Sequence, residues 1–528
     1  MYELMIKNAR IYDGSGTPSF VGTVAVEGGT IAYVGKDDEA LTARRVVDAD
    51  GLCLSPGFID SHSHSDQSIL EDPTRLHVLR MGVTTEVAGQ CGFSRSPYGK
   101  DMKEGVHATL LPLERPVFES MGDFVRTLDG MKLGTNQLYF TGHGVLRGNV
   151  MDCDARLPER KELARMQDLL VREIEDGSAG YSTGLSYVPG IYSNSEELIA
   201  LAKTASEKGG MYVTHSRSES MGLFDSVAEC IRIAREAEIA VNISHFKCVG
   251  RVFWERCTKA LSMIDEAIAE GLRVTLDAYP YTAASTTTLS AIPAAFQDQG
   301  IEAFAKSLDD PNVVEAIRRE IFEVNDPSWD NSIYYVGLEN FLVVRANETP
   351  WMIGKTYADI GKELGVSPYE GMIWMLRKNH GNVWECRFSM CEENVEQILV
   401  HSTCAVGSDG IFVVGDKSAH PRAFGTFPRY LGHYIRDRKI LSREEGIRRI
   451  TSMPAERYGL TSKGRITKGY DADFVLFDFD TIRDGGTYID PFLPNEGIKS
   501  VWMMGEKVLE DNEPTGNYCG RYQKRRRV

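Results

Sequence analysis

The chain has 528 residues, of which 42% are hydrophobic and 25% charged, and its formal net charge is −16. This composition is typical of a globular protein with a large core, and an acidic surplus without an internal cluster of Lys and Arg argues against nucleic acid as a partner. No apolar run reaches the length of a membrane span, and the first residues lack a signal-peptide pattern. We therefore expect a cytoplasmic protein without a membrane partner.

Both ends of the chain have the pattern of short β-strands separated by turns. Near the start, residues 23–26 and 30–35 flank Glu27-Gly28-Gly29, which is typical of a β-hairpin. Residues 471–478 and 498–505 are also strand-like, whereas helix and strand alternate between the two ends. We predict one small β-sandwich-like domain from residues 1–56 and 466–528, flanking a central domain of residues 57–465.

The central domain contains eight strand candidates, each followed by a helical pattern. They cover residues 57–64, 83–91, 137–143, 180–183, 211–215, 240–245, 273–279 and 404–409. Eight such units predict an α/β fold of the (β/α)8 (TIM) barrel type, in which functional side chains lie at the carboxyl ends of the strands. In this sequence those ends carry His62, His64, Cys91, His215, His245 and Asp409.

The connection between the seventh and eighth strand candidates is too long for a single helix. We predict an inserted subdomain over about 287–350 that forms a lid on the barrel mouth. Within it, residues 312–322 are helical, and residues 332–336 and 340–344 are strand-like. We assign the helical pattern of residues 368–379 to the barrel itself.

The strand ends carry residue types that bind metals. His62 and His64 are two residues apart, so on a strand both imidazoles point to the same side. A lone histidine at a strand end is more often a hydrogen-bonded structural residue, but His215 and His245 share matched contexts that favour ligands. With Cys91 and a water they make a complete catalytic zinc set.

Two residues at strand ends have ordinary structural interpretations as well. Cys91 lies between small residues, and most cysteines in a large chain are buried inert thiols; beside a divalent metal it would be a thiolate ligand. Asp409 follows Gly407-Ser408 and is either a helix N-cap or, facing a metal, the proton carrier that hydrolysis requires.

Several short motifs carry a family resemblance. They are residues 56–66, 89–92, 142–147, 182–187, 214–217, 244–247, 277–281, 407–410, 420–422 and 425–429. Through them the chain resembles the D-aminoacylase (N-acyl-D-amino-acid deacylase) family of the amidohydrolase superfamily over essentially its whole length. The cysteine at 91 and the segment His420-Pro421-Arg422 are the features that look like this family in particular.

The resemblance implies a set of metal ligands. A tightly held zinc would lie on Cys91, His215 and His245, and a weaker second site would use His62, His64 and Asp409, with Cys91 between the two. Many binuclear relatives bridge their metals with a carbamylated lysine. The fourth strand candidate has no lysine, which fits the cysteine variant.

The resemblance also implies a substrate site. The residues that would hold the substrate carboxylate are Tyr187, Lys247, Tyr279, Ser285 and Arg422, with Tyr281 as an alternative to Tyr279. Cationic and hydroxyl groups of this kind are suited to a carboxylate. His143 and Arg147, although part of a motif, receive no role.

The implied activity is zinc-dependent hydrolysis of the amide bond of N-acyl-D-amino acids, which yields a D-amino acid and a carboxylate. Asp409 would take a proton from the attacking water and return it to the departing amine. Because residues 286–297 contain no cation, we expect neutral or apolar side chains to be preferred over acidic ones. Arg217, Arg318 or Arg319 would reverse this preference by reaching into the pocket.

Two other classes of protein share the scaffold. One is a cyclic amide hydrolase of the hydantoinase or dihydroorotase type, which would be expected to carry the bridging lysine. The other is a non-catalytic amidohydrolase-fold scaffold protein, which would be expected to have lost metal ligands. The sequence lacks the lysine and retains every ligand, so the small-molecule deacylase is favoured.

Overall fold

A computed structural model of the chain describes residues 1–36, 40–100, 116–324, 326, 329–412, 414–416 and 418–526. At its centre is a barrel of eight parallel strands, which confirms the predicted fold class. In chain order strands one to eight are Phe58–Asp60, Val83–Ala88, Asn136–Tyr139 with its continuation Thr141–Gly142, Gly180–Gly184, Met211–His215, Val241–Ile243, Val274–Ala278 and Cys404–Val406. Strand eight returns to strand one through the hydrogen bond from Ser61 N to Val406 O, 3.3 Å, which closes the barrel.

Helices surround the barrel and bury their apolar faces against it. Helix Arg160–Asp176 shows the pattern: Met166, Leu170 and Ile174 recur every four residues and are buried, while most of the other positions are polar. In the described part of the chain, the other α- and π-helices outside the insertion are Leu76–Leu79, Met121–Asp129, His143–Met151, Ser195–Glu207, Leu223–Ala237, Cys257–Ala269, Glu392–Val400, Arg422–Arg429, the π-helix Tyr430–Asp437, Arg443–Arg449 and Ser452–Tyr458.

The two chain ends form one hydrogen-bonded sheet of nine strands. These are Tyr2–Ile11, Phe20–Glu27, Thr30–Gly35, Ala43–Asp48, Cys53–Pro56, Phe474–Phe477, Ile498–Met503, Glu506–Glu510 and Glu513–Pro514. The ends meet where Cys53–Pro56 pairs antiparallel with Phe474–Phe477. Apolar residues of both ends, among them Ile6 and Trp502, share one core, so the two ends form one unit around a single sheet.

An insertion between strands seven and eight covers the barrel mouth. Its three-stranded sheet is Ala283–Thr287, Trp384–Phe388 and Phe341–Arg345, and its helices are Ile301–Ser307, Pro311–Arg319, Ser332–Val336, Tyr357–Leu364 and Pro368–Lys378. The insertion therefore runs from 283 to 388, beyond the interval of about 287–350 expected from the sequence. It has a hydrophobic core of its own.

Two predictions within this region are wrong. Residues 332–336 form a helix rather than a strand, because the side chain of Asn331 accepts a hydrogen bond from Tyr334 N and so starts the helix. Helix Pro368–Lys378 packs in the core of the insertion, and the barrel helix of this unit is Glu392–Val400, which contacts strands seven and eight. Among the described residues, no helix is both long and apolar enough to cross a membrane.

Candidate active site

A cavity of about 1160 Å³ lies between the carboxyl ends of the barrel strands and the insertion. Its lining includes most of the site residues expected from the sequence. These are His64, Cys91, Tyr187, His215, His245, Lys247, Tyr279, Ser285, Asp409 and Arg422. His62 lies beneath the cavity floor and is fully buried. Residues from seven of the eight strand ends and from the insertion thus meet in one place.

Cys91 is at the centre of a cluster of metal-binding side chains. Its Sγ is 3.5 Å from His62 Nε2 and 3.4 Å from His245 Nε2. One donor atom each from His62, Cys91, His245 and Asp409 lies within 4.8 Å of the others, and all four residues are buried. His215 belongs to an adjoining group with Glu219 and His245. The structure therefore brings the expected ligands together, but groups them differently from the expected tight and weak sets.

The backbone is unusual at three of these residues. Cys91, His245 and Asp409 have φ angles of 55°, 35° and 48°, in the left-handed region that residues other than glycine rarely adopt. Each follows a barrel strand directly or within a few residues. At Gly92, a Cβ atom would lie 2.7 Å from Gly184 N, so strands two and four approach closely only because this position has no side chain. Strained backbone at several converging residues is a feature of functional sites.

Two buried carboxylates orient the histidines. His62 Nδ1 is 3.4 Å from Asp277 Oδ1, and His245 Nδ1 is 3.1 Å from Glu219 Oε1. An imidazole that binds a metal through Nε2 carries its proton on Nδ1, and these carboxylates are the acceptors nearest to that atom. His62 Nδ1 makes no well-formed hydrogen bond among the described residues, and His245 Nδ1 is also 2.7 Å from Lys247 Nζ. Glu219 also accepts from Lys247 Nζ at 2.5 Å.

The electrostatics of the cluster favour ionised ligands. Burial would raise the pKa of the Cys91 thiol, but His62 and His245 outweigh it and hold this pKa well below its usual range. Burial likewise opposes ionisation of Asp409, and the charges of Arg422 and His245 with the hydrogen bond from His64 hold the pKa of the carboxyl well below its usual range. A thiolate, imidazoles and a carboxylate at these separations form a donor set that fits zinc.

Asp409 is held on both oxygens. Oδ2 is 2.9 Å from Arg422 Nη2, and Oδ1 is 3.1 Å from His64 Nε2 and 3.6 Å from His62 Nε2. His64 therefore contacts the carboxylate directly. These contacts hold the Asp409 carboxylate at the edge of the cluster, where it faces the cavity.

A second group of polar side chains lies beside the cluster. The Arg422 guanidinium stacks on the Tyr279 ring at 4.6 Å and donates from Nη2 to Ser285 O at 3.0 Å. Arg422 Nε and Nη1 and the Tyr279 hydroxyl are buried, and within the described residues none makes a well-formed hydrogen bond. Such donors are costly unless a ligand satisfies them. Tyr281 is not part of this group, since its hydroxyl donates to Asp484 Oδ2 at 3.3 Å.

Tyr187, His143 and Arg147 also belong to the sequence motifs, but their polar atoms bind other protein groups. Tyr187 lines the cavity, but its hydroxyl is hydrogen-bonded to Thr286 Oγ1 at 2.9 Å. His143 and Arg147 form a buried network on Glu197, with distances of 2.8 and 2.7 Å. This network lies outside the cavity lining, so these two motif residues support the barrel wall.

The three arginines that would have supplied a cation to the pocket are all engaged elsewhere. Arg217 pairs with Glu229 at 3.1 Å, Arg318 pairs with Glu315 at 2.8 Å, and Arg319 lies 4.0 Å from Glu323 with most of its side chain exposed. None of them lines the cavity.

Sequence reasoning missed three polar residues of the site. Asp277 could have been found, because it precedes Tyr279 by two residues at a strand end, as His62 precedes His64. Glu219 lies in the loop after strand five, and Arg387 comes from the insertion; no spacing in the sequence signals either of them. Arg387 lines the cavity and donates to Glu385 Oε1 at 2.6 Å.

Comparison with known proteins agrees with this fold and site. The sequence profile described as Amidohydrolase family matches residues 45–509, which include the whole barrel, the insertion and every site residue described above. The chain therefore belongs to the amidohydrolase family.

Individual relatives show to which group of amidohydrolases the chain belongs. D-aminoacylase of Alcaligenes xylosoxydans xylosoxydans is 32% identical over 520 residues, which cover 98% of this chain and 97% of the relative. N-acyl-D-glutamate deacylase of the same organism is 31% identical over 513 residues, or 97% and 95% of the two chains. Within the amidohydrolases, the chain belongs to the D-aminoacylase family.

A solved structure shows the same relationship in three dimensions. It is N-acyl-D-glutamate deacylase from Bordetella Bronchiseptica, complexed with zinc and a phosphonate inhibitor that mimics the tetrahedral intermediate of the reaction. It matches with a TM-score of 0.85 and 30% identity over 99% of each chain.

Proposed function

We propose that this protein hydrolyses the amide bond of N-acyl-D-amino acids, giving a D-amino acid and a carboxylate. The observation that carries the proposal is the position of Arg422 and Tyr279. Their unsatisfied donors lie directly beside the metal-binding cluster, so a carboxylate held there places the neighbouring amide on the cluster. The relatives named above act on this class of substrate.

Zinc is the metal that the donor set suits. Cys91, His62, His245 and Asp409 would hold it, and His215 with Glu219 extends the group on one side. When bound, zinc would polarise the acyl carbonyl and stabilise the negative charge that develops on it. Asp277 and Glu219 lie beside the Nδ1 atoms of His62 and His245, where they would accept the Nδ1 proton of a metal-bound imidazole.

Substrate recognition follows from the second polar group. Arg422 Nε and Nη1 and the Tyr279 hydroxyl would donate to the substrate carboxylate, and Lys247 adds positive charge 5.7 Å from the same ring. Ser285 holds Arg422 in place through its carbonyl, and Tyr187, whose hydroxyl bonds Thr286 next to it, also lines the cavity. Charge-assisted hydrogen bonds of this kind are about twice as strong as neutral ones.

Asp409 is suited to carry the proton. Its carboxylate is ionised because Arg422 and the histidines lower its pKa, and it faces the cavity. It would accept a proton from the attacking water and donate it to the amine nitrogen as the C–N bond breaks. The fixed position between Arg422 and His64 aligns Oδ1 for both transfers.

The insertion supports a preference for neutral or apolar side chains. Within the described residues, Arg387 is the cation that the insertion contributes to the cavity lining. Its charge is compensated by Glu385, and its remaining donors bind Ser332 at 3.0 Å and Ser290 at 2.7 Å. An acidic substrate side chain would find no free counter-charge on this wall, which makes its burial costly.

One experiment separates this function from the alternatives. Purified protein is analysed for bound zinc and assayed with N-acetyl-D-methionine, hydantoin and dihydroorotate. We expect bound zinc and turnover of the linear amide alone. Turnover of either cyclic amide in preference to N-acetyl-D-methionine would contradict the proposal, and so would zinc-loaded protein that hydrolyses none of the three.

A further inference from the structure

A side chamber opens from the main cavity. It shares Phe93, Tyr187 and Leu289 with the cavity lining. Beyond these residues it extends between the loop after strand four and the short helical segments 288–291 and 294–296 of the insertion. The carboxylate recognition and proton transfer described above make no use of it.

The walls of the chamber are apolar. The residues that line the chamber but not the main cavity include Val188, Ile191, Ile292 and Trp329. Its uncharged polar residues are hydrogen-bonded within the protein. Gln297 Nε2 donates to Leu289 O at 2.9 Å and to Ile292 O at 2.8 Å. The hydroxyls of Ser186, Thr287 and Ser290 contact His215 Nε2, Leu289 N and Thr287 O. An uncharged hydrocarbon group is therefore the ligand chemistry that the chamber fits.

The charged member of the lining faces away from it. Asp330 Oδ2 accepts from Glu219 N at 2.6 Å, and Oδ1 accepts from the hydroxyls of Ser218 and Ser220, the latter at 2.5 Å. This carboxylate is occupied by the loop after strand five, so it offers nothing to a ligand in the chamber.

The position of the chamber in the barrel determines which part of the substrate reaches it. Arg422 and Tyr279 follow strands eight and seven, whereas Phe93 and Tyr187 follow strands two and four. In a closed barrel of eight strands, strand four lies opposite strand eight. The Tyr187 ring packs 4.9 Å from the ring of His215, and its hydroxyl reaches Thr286 of the insertion at 2.9 Å. In a trans amide, the acyl substituent points away from the α-carbon that carries the carboxylate. A substrate anchored at Arg422 thus directs its acyl group across the cluster toward Phe93 and Tyr187.

We propose that this chamber is the acyl-binding site, and that the substrates are N-acyl-D-amino acids whose acyl group is a hydrocarbon chain longer than acetyl. This inference rests on the proposed function and specifies its substrate class. Each buried methylene is worth about 0.8 kcal/mol, or roughly fourfold in kcat/KM. N-hexanoyl-D-methionine carries four more methylenes than the acetyl compound, so even partial burial favours it at least tenfold.

Ala294 and Ala295 provide a matched pair of variants. Ala294 lines the chamber and is partly exposed, whereas Ala295, on the same short helical segment, is exposed and outside the lining. In Ala294→Phe the new ring fills the chamber, and we expect the hexanoyl-to-acetyl ratio of kcat/KM to fall about tenfold or more. Ala295→Phe adds the same ring on the outer side, and this ratio stays at the wild-type value. Ile191→Ala enlarges the chamber and shifts the preferred chain length upward.

The test is a kcat/KM series for these proteins with N-acetyl-, N-butyryl- and N-hexanoyl-D-methionine and with N-acetyl-D-alanine. A wild-type ratio that rises with chain length and falls only in Ala294→Phe supports the proposal. A wild-type enzyme that hydrolyses the acetyl compound as fast as the hexanoyl compound overturns it. It is also overturned if Ala294→Phe changes the ratio of methionine to alanine instead, because the chamber then holds the amino-acid side chain. Absence of turnover with every D-compound would overturn the proposed function itself, and the inference with it.

Discussion

Asp409 is the residue whose position couples the metal-binding cluster to the cavity, because its carboxylate contacts Arg422 on one oxygen and His64 on the other. In Asp409→Asn the shape is kept and the capacity to accept a proton is lost. We expect kcat to fall roughly 10²- to 10⁴-fold, while bound zinc is retained because Cys91, His62 and His245 remain. Zinc analysis and steady-state kinetics check both expectations, and near-normal turnover would contradict the assigned role. Asp484→Asn, which alters a carboxylate outside the cluster, is the control.

Substitution of Glu219 is expected to lower the affinity for zinc. In Glu219→Gln the countercharge of Lys247 and the anionic acceptor of His245 Nδ1 are both lost. Carboxylates that orient a ligand histidine typically contribute 10- to 100-fold in metal affinity, so we expect zinc affinity to fall by about this factor. Competition with a chelator measures it.

Glu229→Gln is the matched control for this change. Glu229 has the same side-chain exposure as Glu219, 12%, and also pairs with a cation, but its partner Arg217 lies outside the cavity. Equal zinc affinity in both variants would show that Glu219 has no orienting role.

At the residue scale, the sequence predicts candidate site residues when their side chains lie at strand ends. His62, Cys91, His215, His245 and Asp409 follow apolar runs, and the barrel geometry then brings them together. It fails where a loop or an inserted element supplies the residue. Glu219, for example, is positioned by a hydrogen bond from its own backbone N–H to Asp330 of the insertion.

At the scale of elements, helix Met121–Asp129 starts on a buried carboxylate. Glu173 accepts from Met121 N at 3.1 Å and from Ser96 Oγ at 2.6 Å, and burial raises the pKa of this carboxyl from 4.5 to about 7 against the lowering effect of these hydrogen bonds. Because the folded pKa is the higher one, the unfolded chain loses this proton first as the pH rises. The contribution of Glu173 to stability is therefore full below about pH 4.5 and is lost progressively up to about pH 7.

Glu173→Gln removes this titration. We expect the Tm of the variant, relative to wild type, to be higher at pH 8 than at pH 5, since only the wild-type side chain must be buried as a carboxylate at the higher pH. Thermal unfolding at the two pH values measures the difference. The exposed Glu175→Gln serves as the control, and a Tm difference that does not change with pH in Glu173→Gln would contradict the explanation.

The elements themselves divide into those that the sequence specifies and those that it does not. The barrel strands are almost entirely buried, and all eight lie within a few residues of their predicted bounds, although some of them, such as Gly180–Gly184, are not apolar runs. Helix Pro368–Lys378 has one apolar face, which would be buried equally well against the barrel or in the insertion. Its sequence pattern therefore does not distinguish the two positions. In Ser332–Val336, the capping side chain of Asn331 prevails over β-branched and aromatic residues that favour strands.

At the scale of the whole molecule, the cavity exists because the barrel and the insertion each supply one wall. In the proposed function the substrate side chain would meet the insertion wall, where Glu385 compensates the charge of Arg387. We expect kcat/KM for N-acetyl-D-leucine to exceed that for N-acetyl-D-glutamate by at least about tenfold, the effect of roughly 1.4 kcal/mol for an uncompensated charge that is only partly buried. A higher kcat/KM for the glutamate compound would show that Arg387 is available to the substrate.

The proposed activity requires that the protein bind N-acyl-D-amino acids in this cavity and hydrolyse them there. The most direct test is kcat/KM of the zinc-loaded protein for N-acetyl-D-methionine and for its L-enantiomer, measured side by side. With the carboxylate fixed on Arg422 and Tyr279 and the amide on the cluster, only one enantiomer directs its side chain to the insertion wall. We predict at least a hundredfold preference for the D-compound. Equal rates for the two enantiomers, or faster hydrolysis of the L-compound, would contradict this account.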